Sequence, residues 1–257
     1  MPKLKIIGCS SGMPDANSAN SSYLVAFKNK YYLLDCGEGT SSAMIRLGIN
    51  YKKIDNVFIT HGHPDHIMGL PVFIQMNHIA RRITPLNIYL PSELVEPIEN
   101  ILNATYLIRE KLSFEWHLHP IKPNPTFRDN NLAINAFPNK HLLSNAEAIE
   151  SLRLPNKMQS YCFTVATSRA KMLYSGDLHS ADDLEGLLDN CDLLLVEGMH
   201  IDLNDLLELV ADVGVRKLVI THLPSDNIKQ RRMIMSIARK LGINGIYFAG
   251  ESREFTY

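Results

Sequence analysis

The sequence predicts a layered α/β domain with one site at a shared sheet edge. Three observations predict it. Strand-like runs alternate with helical patterns through both halves of the chain. Residues able to do chemistry concentrate where the strands stop. Between residues 120 and 130 the composition turns to Pro, Asn and Asp, as at a boundary between halves. The expected organisation is therefore a single domain, residues 1–257, whose two pseudo-repeated halves meet near 120–130 and each supply part of the site.

Lys3 to Gly8 alternates and then turns apolar, which predicts a first strand. A loop rich in Ser, Asn and Asp follows to Ser21; it reads equally as a rim over a site or as plain connection. Ser22 to Phe27 and Lys30 to Asp35 form a hairpin around Lys28-Asn29. Asp35-Cys36-Gly37-Glu38-Gly39-Thr40 predicts a tight turn into a helix capped by Thr40 or Ser41 and ending near Leu47. Asp35 reads either as a brace for a metal-bound histidine or as a turn carboxylate. Asn56 to Ile59 is the next strand. Ile67, Leu70, Phe73, Ile74 and Asn77 then mark a helix from 67 to 79, with Pro71 early in it. His78 near its end reads as a surface or packing residue. Leu86 to Leu90 is a strand, followed by a helix through about Leu102. His117 and His119 lie on one polar face of a further strand and read as solvated.

In the second half, Leu132 to Phe137 is a strand ending at Pro138-Asn139-Lys140-His141. Gln159 to Thr167 and Ala170 to Tyr174 form a hairpin ending at Ser175-Gly176-Asp177. His179, two residues on, either lines the site or points away. Asp182 to Leu188 reads as a short helix. Cys191 to Val196 is a strand buried on both faces, ending at Glu197-Gly198-Met199-His200. Asp202 to Val213 is an amphipathic helix closed by Gly214. Arg216 to Ile220 is a strand ending at Thr221-His222, the same shape as Ile59-Thr60-His61. A helix from Ile228 to Leu241 presents a basic, solvated face, and Gly245 to Ala249 is the last strand.

The totals narrow the function. A chain of 257 residues, 46 % hydrophobic, can bury a sizeable core. A net charge of -1 gives no general attraction for nucleic acid or anionic membrane. Cys9, Cys36, Cys162 and Cys191 are scattered and form no CxxC pair, so reduced thiols and a cytoplasmic protein are expected. No run approaches the 18 apolar residues a membrane span needs, and no signal peptide is visible.

The chemistry centres on Thr60-His61-Gly62-His63-Pro64-Asp65-His66. Three imidazoles and a carboxylate in six residues form a metal-ligand set. Gly62 and Pro64 let a strand-end loop turn these side chains inward. One zinc would need only part of the set, so His-x-His followed by Asp-His suggests two ions about 3.5–4 Å apart. Such a pair needs distant His and Asp residues at other strand ends. His141 stands where a third ligand for one ion would be needed, and Asp177 has the reach to bridge two cations.

With His141, Asp177 and His222, the motif His61-x-His63-x-Asp65-His66 resembles the metallo-β-lactamase superfamily, and within it the ribonuclease Z branch. The Gly8 to Pro14 loop, Asp35 to Thr40, Thr60-His61 and Gly69-Leu70-Pro71 carry the same likeness. The resemblance implies a four-layer αββα sandwich with two Zn2+ ions, Mn2+ or Fe being tolerated by the two carboxylates. It implies that His61, His63 and His141 hold one ion, that Asp65, His66 and His222 hold the other, and that Asp177 bridges them. Asp65 would orient the nucleophile and His200 would serve the leaving group. The implied activity is that of a dinuclear metal-dependent phosphodiesterase on a small-molecule phosphodiester or a nucleic acid. The alternatives are another ester bond (thioester, lactone or sulfate ester) or true transfer RNA 3′ cleavage. The branch often forms homodimers. The family's arm for gripping transfer RNA is inserted between the positions of His141 and Asp177, where this chain has only the 35 residues 142–176. Glu197-Gly198-Met199 replaces a Glu-Ala-Thr-like motif, and Pro224-Ser225-Asp226 replaces a Ser-Arg-Tyr-like tail.

Overall fold

The computed structural model describes residues 1–122, 125–223 and 227–257, so the Pro224-Ser225-Asp226 segment lies outside it. The first half contributes β1 (Lys3–Ser10), β2 (Ala19–Asn20), β3 (Ser22–Phe27), β4 (Lys30–Leu34), α1 (Thr40–Arg46), β5 (Ile54–Phe58), α2 (Pro64–Ile67), α3 (Leu70–Ile79), β6 (Leu86–Leu90), α4 (Val95–Ala104) and β7 (Trp116–Pro120). The second contributes β8 (Phe127–Arg128), β9 (Ala133–Pro138), α5 (Ala146–Leu152), β10 (Tyr161–Ala166), β11 (Lys171–Tyr174), β12 (Leu193–Glu197), α6 (Leu203–Val213), β13 (Leu218–Thr221), α7 (Ile228–Lys240), β14 (Ile246–Phe248) and β15 (Glu254–Thr256).

These strands build two sheets. The first has the order β15-β1-β3-β4-β5-β6-β7, with β2 beside β1. The second has the order β14-β13-β12-β11-β10-β9-β8. The chain passes from one sheet to the other between β7 and β8, in the Pro- and Asn-rich stretch. It then returns at its C-terminal end, where β15 pairs antiparallel with β1.

Alternation along the strands explains the layering, because successive side chains face opposite ways. Tyr23, Val25, Tyr32, Leu34 and Phe58 of the first sheet meet Phe163, Val165, Met172, Tyr174, Leu195 and Val219 of the second in one inter-sheet core. Their sequence neighbours Leu24, Leu33 and Val57 turn outward, under a cover that includes Ala43, Phe73 and Leu102 of α1, α3 and α4. On the other side Leu173, Leu194 and Ile220 lie under Leu206, Val210 and Ile234 of α6 and α7. The result is a four-layer αββα sandwich. An aromatic cluster fills its centre: Phe58 stacks on Tyr89 at 4.8 Å and meets Phe127 and Phe163 edge-on.

Several local expectations are corrected. Residues 67–79 do not form one helix: it breaks at Met68–Gly69 into α2 and α3. A Cβ at Gly69 would lie 2.0 Å from the Gly37 carbonyl oxygen, and one at Gly37 would lie 2.1 Å from that of Asp65. This backbone-on-backbone approach, closed to any side chain, seats α2 against the loop after β4. Gly39, with φ 78°, caps α1, while the Thr40 hydroxyl donates to the Gly37 carbonyl at 2.7 Å. The expected helix 182–188 is a single 3₁₀ turn, Ala181–Leu184. The hairpin turn holds, with Lys28 and Asn29 both at positive φ, as a primed turn requires.

Candidate metal centre

β4, β5, β6 and β7 run parallel, as do β11, β12, β13 and β14. Their carboxyl ends therefore open at one edge of the sandwich, where ligand sites of parallel sheets form. Asp35 follows β4, Thr60-His61 follows β5, His141 follows β9, Asp177 follows β11, Glu197 ends β12 and His222 follows β13. His63 stays extended (φ -65°, ψ 143°) and Pro64 starts α2, which places Asp65 and His66 in its first turn.

The structure brings all seven predicted side chains together. They form two groups able to hold a metal ion, His61, His63, His141 and Asp177 in one and Asp65, His66, Asp177 and His222 in the other. Asp177 is common to both. Its Oδ2 lies 3.9 Å from His61 Nε2, 3.7 Å from His141 Nε2 and 3.5 Å from His222 Nε2. His66 Nε2 is 3.3 Å from Asp177 Oδ1, and Asp65 Oδ2 is 3.6 Å from both His66 Nε2 and His222 Nε2. His63 Nδ1 and His141 Nε2 are 3.2 Å apart.

These separations fit a cation. Four donors about 2.1 Å from a tetrahedral ion lie about 3.4 Å from one another. The donor set of imidazole nitrogens and carboxylate oxygens is also what a first-row divalent ion takes. His61 Nε2, His66 Nε2 and Asp177 Oδ1 are buried without a hydrogen-bond partner. His66 Nε2 and Asp177 Oδ1 are close but not aligned as a hydrogen bond. Each such buried orphan costs about 1–3 kcal/mol, so three in one spot call for a ligand.

The opposite ring nitrogens are held from behind. Asp35, fully buried at φ 56°, accepts from His66 Nδ1 at 2.7 Å, Thr60 N at 2.7 Å, Thr60 Oγ1 at 2.9 Å and Tyr174 Oη at 2.6 Å. Asp35 thus braces the His66 ring and is more than a turn carboxylate. His222 Nδ1 faces Ser21 Oγ at 3.2 Å, and His141 Nδ1 faces the Leu178 carbonyl at 3.3 Å. Asn139 ties the second half together: it donates to the Asp177 carbonyl at 2.9 Å and accepts from His141 N at 3.1 Å. Burial, with His66 beside it, pushes His61 well below its ordinary pKa. Burial opposes the charge on His66, but Asp177 and Asp35 outweigh it and raise this imidazole well above the usual value. Burial likewise opposes the Asp177 carboxylate, yet His66 and His222 hold it well below the usual range.

His200 stands at the mouth, with its side chain 38 % exposed. Its Nδ1 is 3.7 Å from Asp177 Oδ2 and 3.5 Å from Glu197 Oε2. Glu197 also accepts from the backbone N–H groups of Met199 and His200, which fixes this strand end. A Cβ on Gly12 would sit 3.7 Å from Asp65 Oδ2, so the loop after β1 is a rim over the site. The other histidines stand apart. His78 Nδ1 accepts from Ser113 N, and His179 is exposed. His117 keeps the expected solvent contact, its side chain 44 % exposed beside Glu115, whereas His119 on the same face of edge strand β7 is partly covered. His119 stacks on Tyr89 and bonds Asn87. Asn139, Ser21 and Tyr174 escaped sequence reasoning, since a lone amide, hydroxyl or phenol carries no spacing signal.

Comparisons with known proteins place the sequence and the fold. The chain is 25 % identical over 287 residues to a ribonuclease Z of Methanothermobacter thermautotrophicus, covering 94 % of this chain and 92 % of that one. Its fold matches the metallo-β-lactamase fold protein YhfI of Bacillus subtilis with a TM-score of 0.77 at 20 % identity, covering 99 % and 98 % of the two chains. It matches the short form of human tRNase Z with a TM-score of 0.77 at 19 % identity and the same coverage. The fold is that of the metallo-β-lactamase superfamily, and the likeness runs to its ribonuclease Z branch. Residues 2–240 match the model of the family described as anti-Pycsar protein Apyc1, and the chain belongs to that family.

Proposed function

We propose that this chain is a dinuclear metal-dependent phosphodiesterase resembling ribonuclease Z but without its transfer RNA-gripping arm. One observation carries the reading: two ligand-like groups share Asp177, and three of their donor atoms are buried without partners. His61, His63 and His141 would hold one cation, Asp65, His66 and His222 the other, and Asp177 both. Zinc is the proposed ion because imidazole dominates the set; Mn2+ and Fe are the alternatives. Bound cations would supply water acidified toward neutrality and charge neutralisation at a phosphoryl group.

The chain's own residues supply the rest. Asp65 lies beside His66 and His222 with its side chain 12 % exposed, so it reaches incoming water and orients it by accepting a hydrogen bond. His200, with its ring centroid 5.0 Å from that of His141 and 5.6 Å from that of His222, donates a proton to the leaving oxygen from the open side. The buried walls exclude bulk water from Asp177 and strengthen every charge interaction around it.

The proposed substrate is a small phosphodiester. The segment 142–176 is taken up by a 3₁₀ turn at His141–Asn145, the seven residues of α5, and β10 and β11. That leaves only the loop 153–160, the turn 167–170 and residues 175–176, little length for an RNA-gripping arm. Transfer RNA 3′ cleavage is the second reading, favoured by the ribonuclease Z likeness; a thioester, lactone or sulfate ester is the third. Among the described residues no helix is long and apolar enough to cross a membrane. The free thiols, with Cys36 and Cys162 fully buried, support a cytoplasmic setting. The shared inter-sheet core and the return of β15 to β1 support a single domain of two halves, and the homodimer common in the branch is the proposed assembly.

The test is turnover of bis-p-nitrophenyl phosphate by zinc-loaded protein, beside a transfer RNA precursor and an ester panel. Asp65→Ala and His200→Ala should each lower kcat by about 10²–10⁴-fold. Full activity in Asp65→Ala would end the proposed mechanism.

A further inference from the structure

The two cation-holding groups are braced in different ways. The braces on His61 and His141 themselves are local: Thr60 Oγ1 lies 3.0 Å from His61 Nδ1, and the Leu178 carbonyl serves His141, while across the sheets the Thr60 carbonyl accepts only a backbone bond, from Tyr161 N–H at 3.2 Å. In the other group His66 hangs from the first sheet and His222 from the second. Here side chains carry the bracing across the gap between the sheets, and they do so twice, in opposite directions.

Tyr174, on β11 of the second sheet, donates its hydroxyl to Asp35 Oδ2 of the first at 2.6 Å. The same oxygen is 2.7 Å from His66 Nδ1. Tyr23, on β3 of the first sheet, shares a hydrogen bond with Thr221 Oγ1 of the second at 2.8 Å, one residue before His222. Its hydroxyl also lies 3.5 Å from Ser21 Oγ, which contacts His222 Nδ1 at 3.2 Å. The two rings touch, with centroids 4.9 Å apart. Tyr23, Tyr174, Asp35, Ser21 and Thr221 are all buried. Burial pushes both phenols well above their ordinary pKa, so each keeps its proton to donate.

We infer that Tyr174 and Tyr23 are a crossed pair of positioning residues that fix the sheet spacing at Asp65, His66 and His222, so that two hydroxyls remote from the ligand atoms set the affinity of that one cation. Metal sites tolerate donor errors of only about 0.2 Å, which a rigid bond between the sheets can enforce and a purely apolar interface cannot. This inference rests on the dinuclear reading above.

Zinc titration in competition with a chromophoric chelator tests it, on Tyr174→Phe, Tyr23→Phe and a Tyr32→Phe control. Tyr32 lies in the same inter-sheet core but donates to Asp129, away from the site. Wild type and Tyr32→Phe should bind two equivalents with the same two affinities. Tyr174→Phe and Tyr23→Phe should keep one unchanged and weaken the other about 10-fold, the lower end for partners behind a ligand. A purely structural role would instead lower the melting temperature and leave both affinities alone, or weaken both alike. If either variant fails to fold, Ser21→Ala takes its place. Wild type binding two equivalents while the phenylalanine variants also hold both at full affinity overturns the inference. Wild type binding fewer than two overturns the dinuclear reading, and the inference with it.

Discussion

Replacing Asp35 by Asn should disable one cation site while sparing the fold. The carboxylate takes four buried donors: Thr60 N–H and O–H, His66 Nδ1–H and Tyr174 O–H. An amide of the same shape can keep its oxygen toward Thr60 N, which leaves its NH₂ facing His66 and Tyr174. The phenol can rotate and accept. The imidazole accepts at Nδ1 only by moving its proton to Nε2, the atom that faces Asp65 at 3.6 Å and Asp177 at 3.3 Å. A proton there occupies the lone pair that a cation needs. Exchanging a hydrogen bond to a charged acceptor for the wrong tautomer costs about 1.5–3 kcal/mol, or about 10–100-fold in affinity. Asp35→Ala is a different perturbation. Thr60 Oγ1 can still accept from His61 Nδ1–H, but Thr60 N–H and O–H, His66 N–H and Tyr174 O–H lose their acceptor. At about 1–3 kcal/mol each, with partial relaxation, the loss is about 3–5 kcal/mol. That is a large share of a typical stability of about 5–15 kcal/mol. Zinc competition and thermal melts on both variants separate the effects. An Asp35→Asn protein that keeps both equivalents at wild-type affinity would refute the tautomer argument, and an Asp35→Ala protein that melts like wild type would refute the role of the buried acceptor.

Three further outcomes are expected. Gly69→Ala should destabilise by about 1–3 kcal/mol or more, because its Cβ meets the carbonyls of Gly37 and Cys36, which cannot swing aside as a side chain can; a wild-type melt would contradict the close approach. Stripping cations with a chelator should lower the melting temperature, since a site at about 1,000 times its Kd contributes about 4 kcal/mol, and about 2–4 °C follows each kcal/mol in a chain of this size; an unchanged melt would argue against resident metal. Asp129 is held below the usual carboxylate range: burial opposes its charge, but bonds from Tyr32, the Asn131 and Leu132 backbone and Lys30 outweigh that. A depressed pKa gives stability that is present above the unfolded value near about 3.9 and lost as pH falls through the folded value. The Asp129→Asn deficit should therefore be constant near neutrality and shrink in urea melts below about pH 4; a deficit that grows on acidification would reverse this sign.

What the sequence revealed follows from how local each signal is. The buried runs at Asn56–Ile59 and Cys191–Val196 announce strands by composition, and histidines or aspartates where such runs stop announce a site, because a parallel sheet gathers those ends. The single helix expected over 67–79 went wrong for a physical reason. Ile67 and Leu70 face the same core on either side of the break, so the periodicity runs on while a contact with Gly37 interrupts the backbone. α5 left no signal because none of its residues is buried. β15 left none because its three residues are defined by pairing with β1.

Asp35 marks where reading along the chain stops. Its type and its place after a strand suit a turn as well as a brace. The choice is made by a left-handed backbone, φ 56°, that aims the carboxylate inward, and by partners 25, 31 and 139 positions away at Thr60, His66 and Tyr174. Residues offered as ligands must be chemically distinctive, and so they show in a sequence. Residues that hold those ligands still need only present one donor or acceptor at one point in space, which any of several ordinary side chains can do. The first set is therefore legible at strand ends, and the second appears only once both sheets are in place.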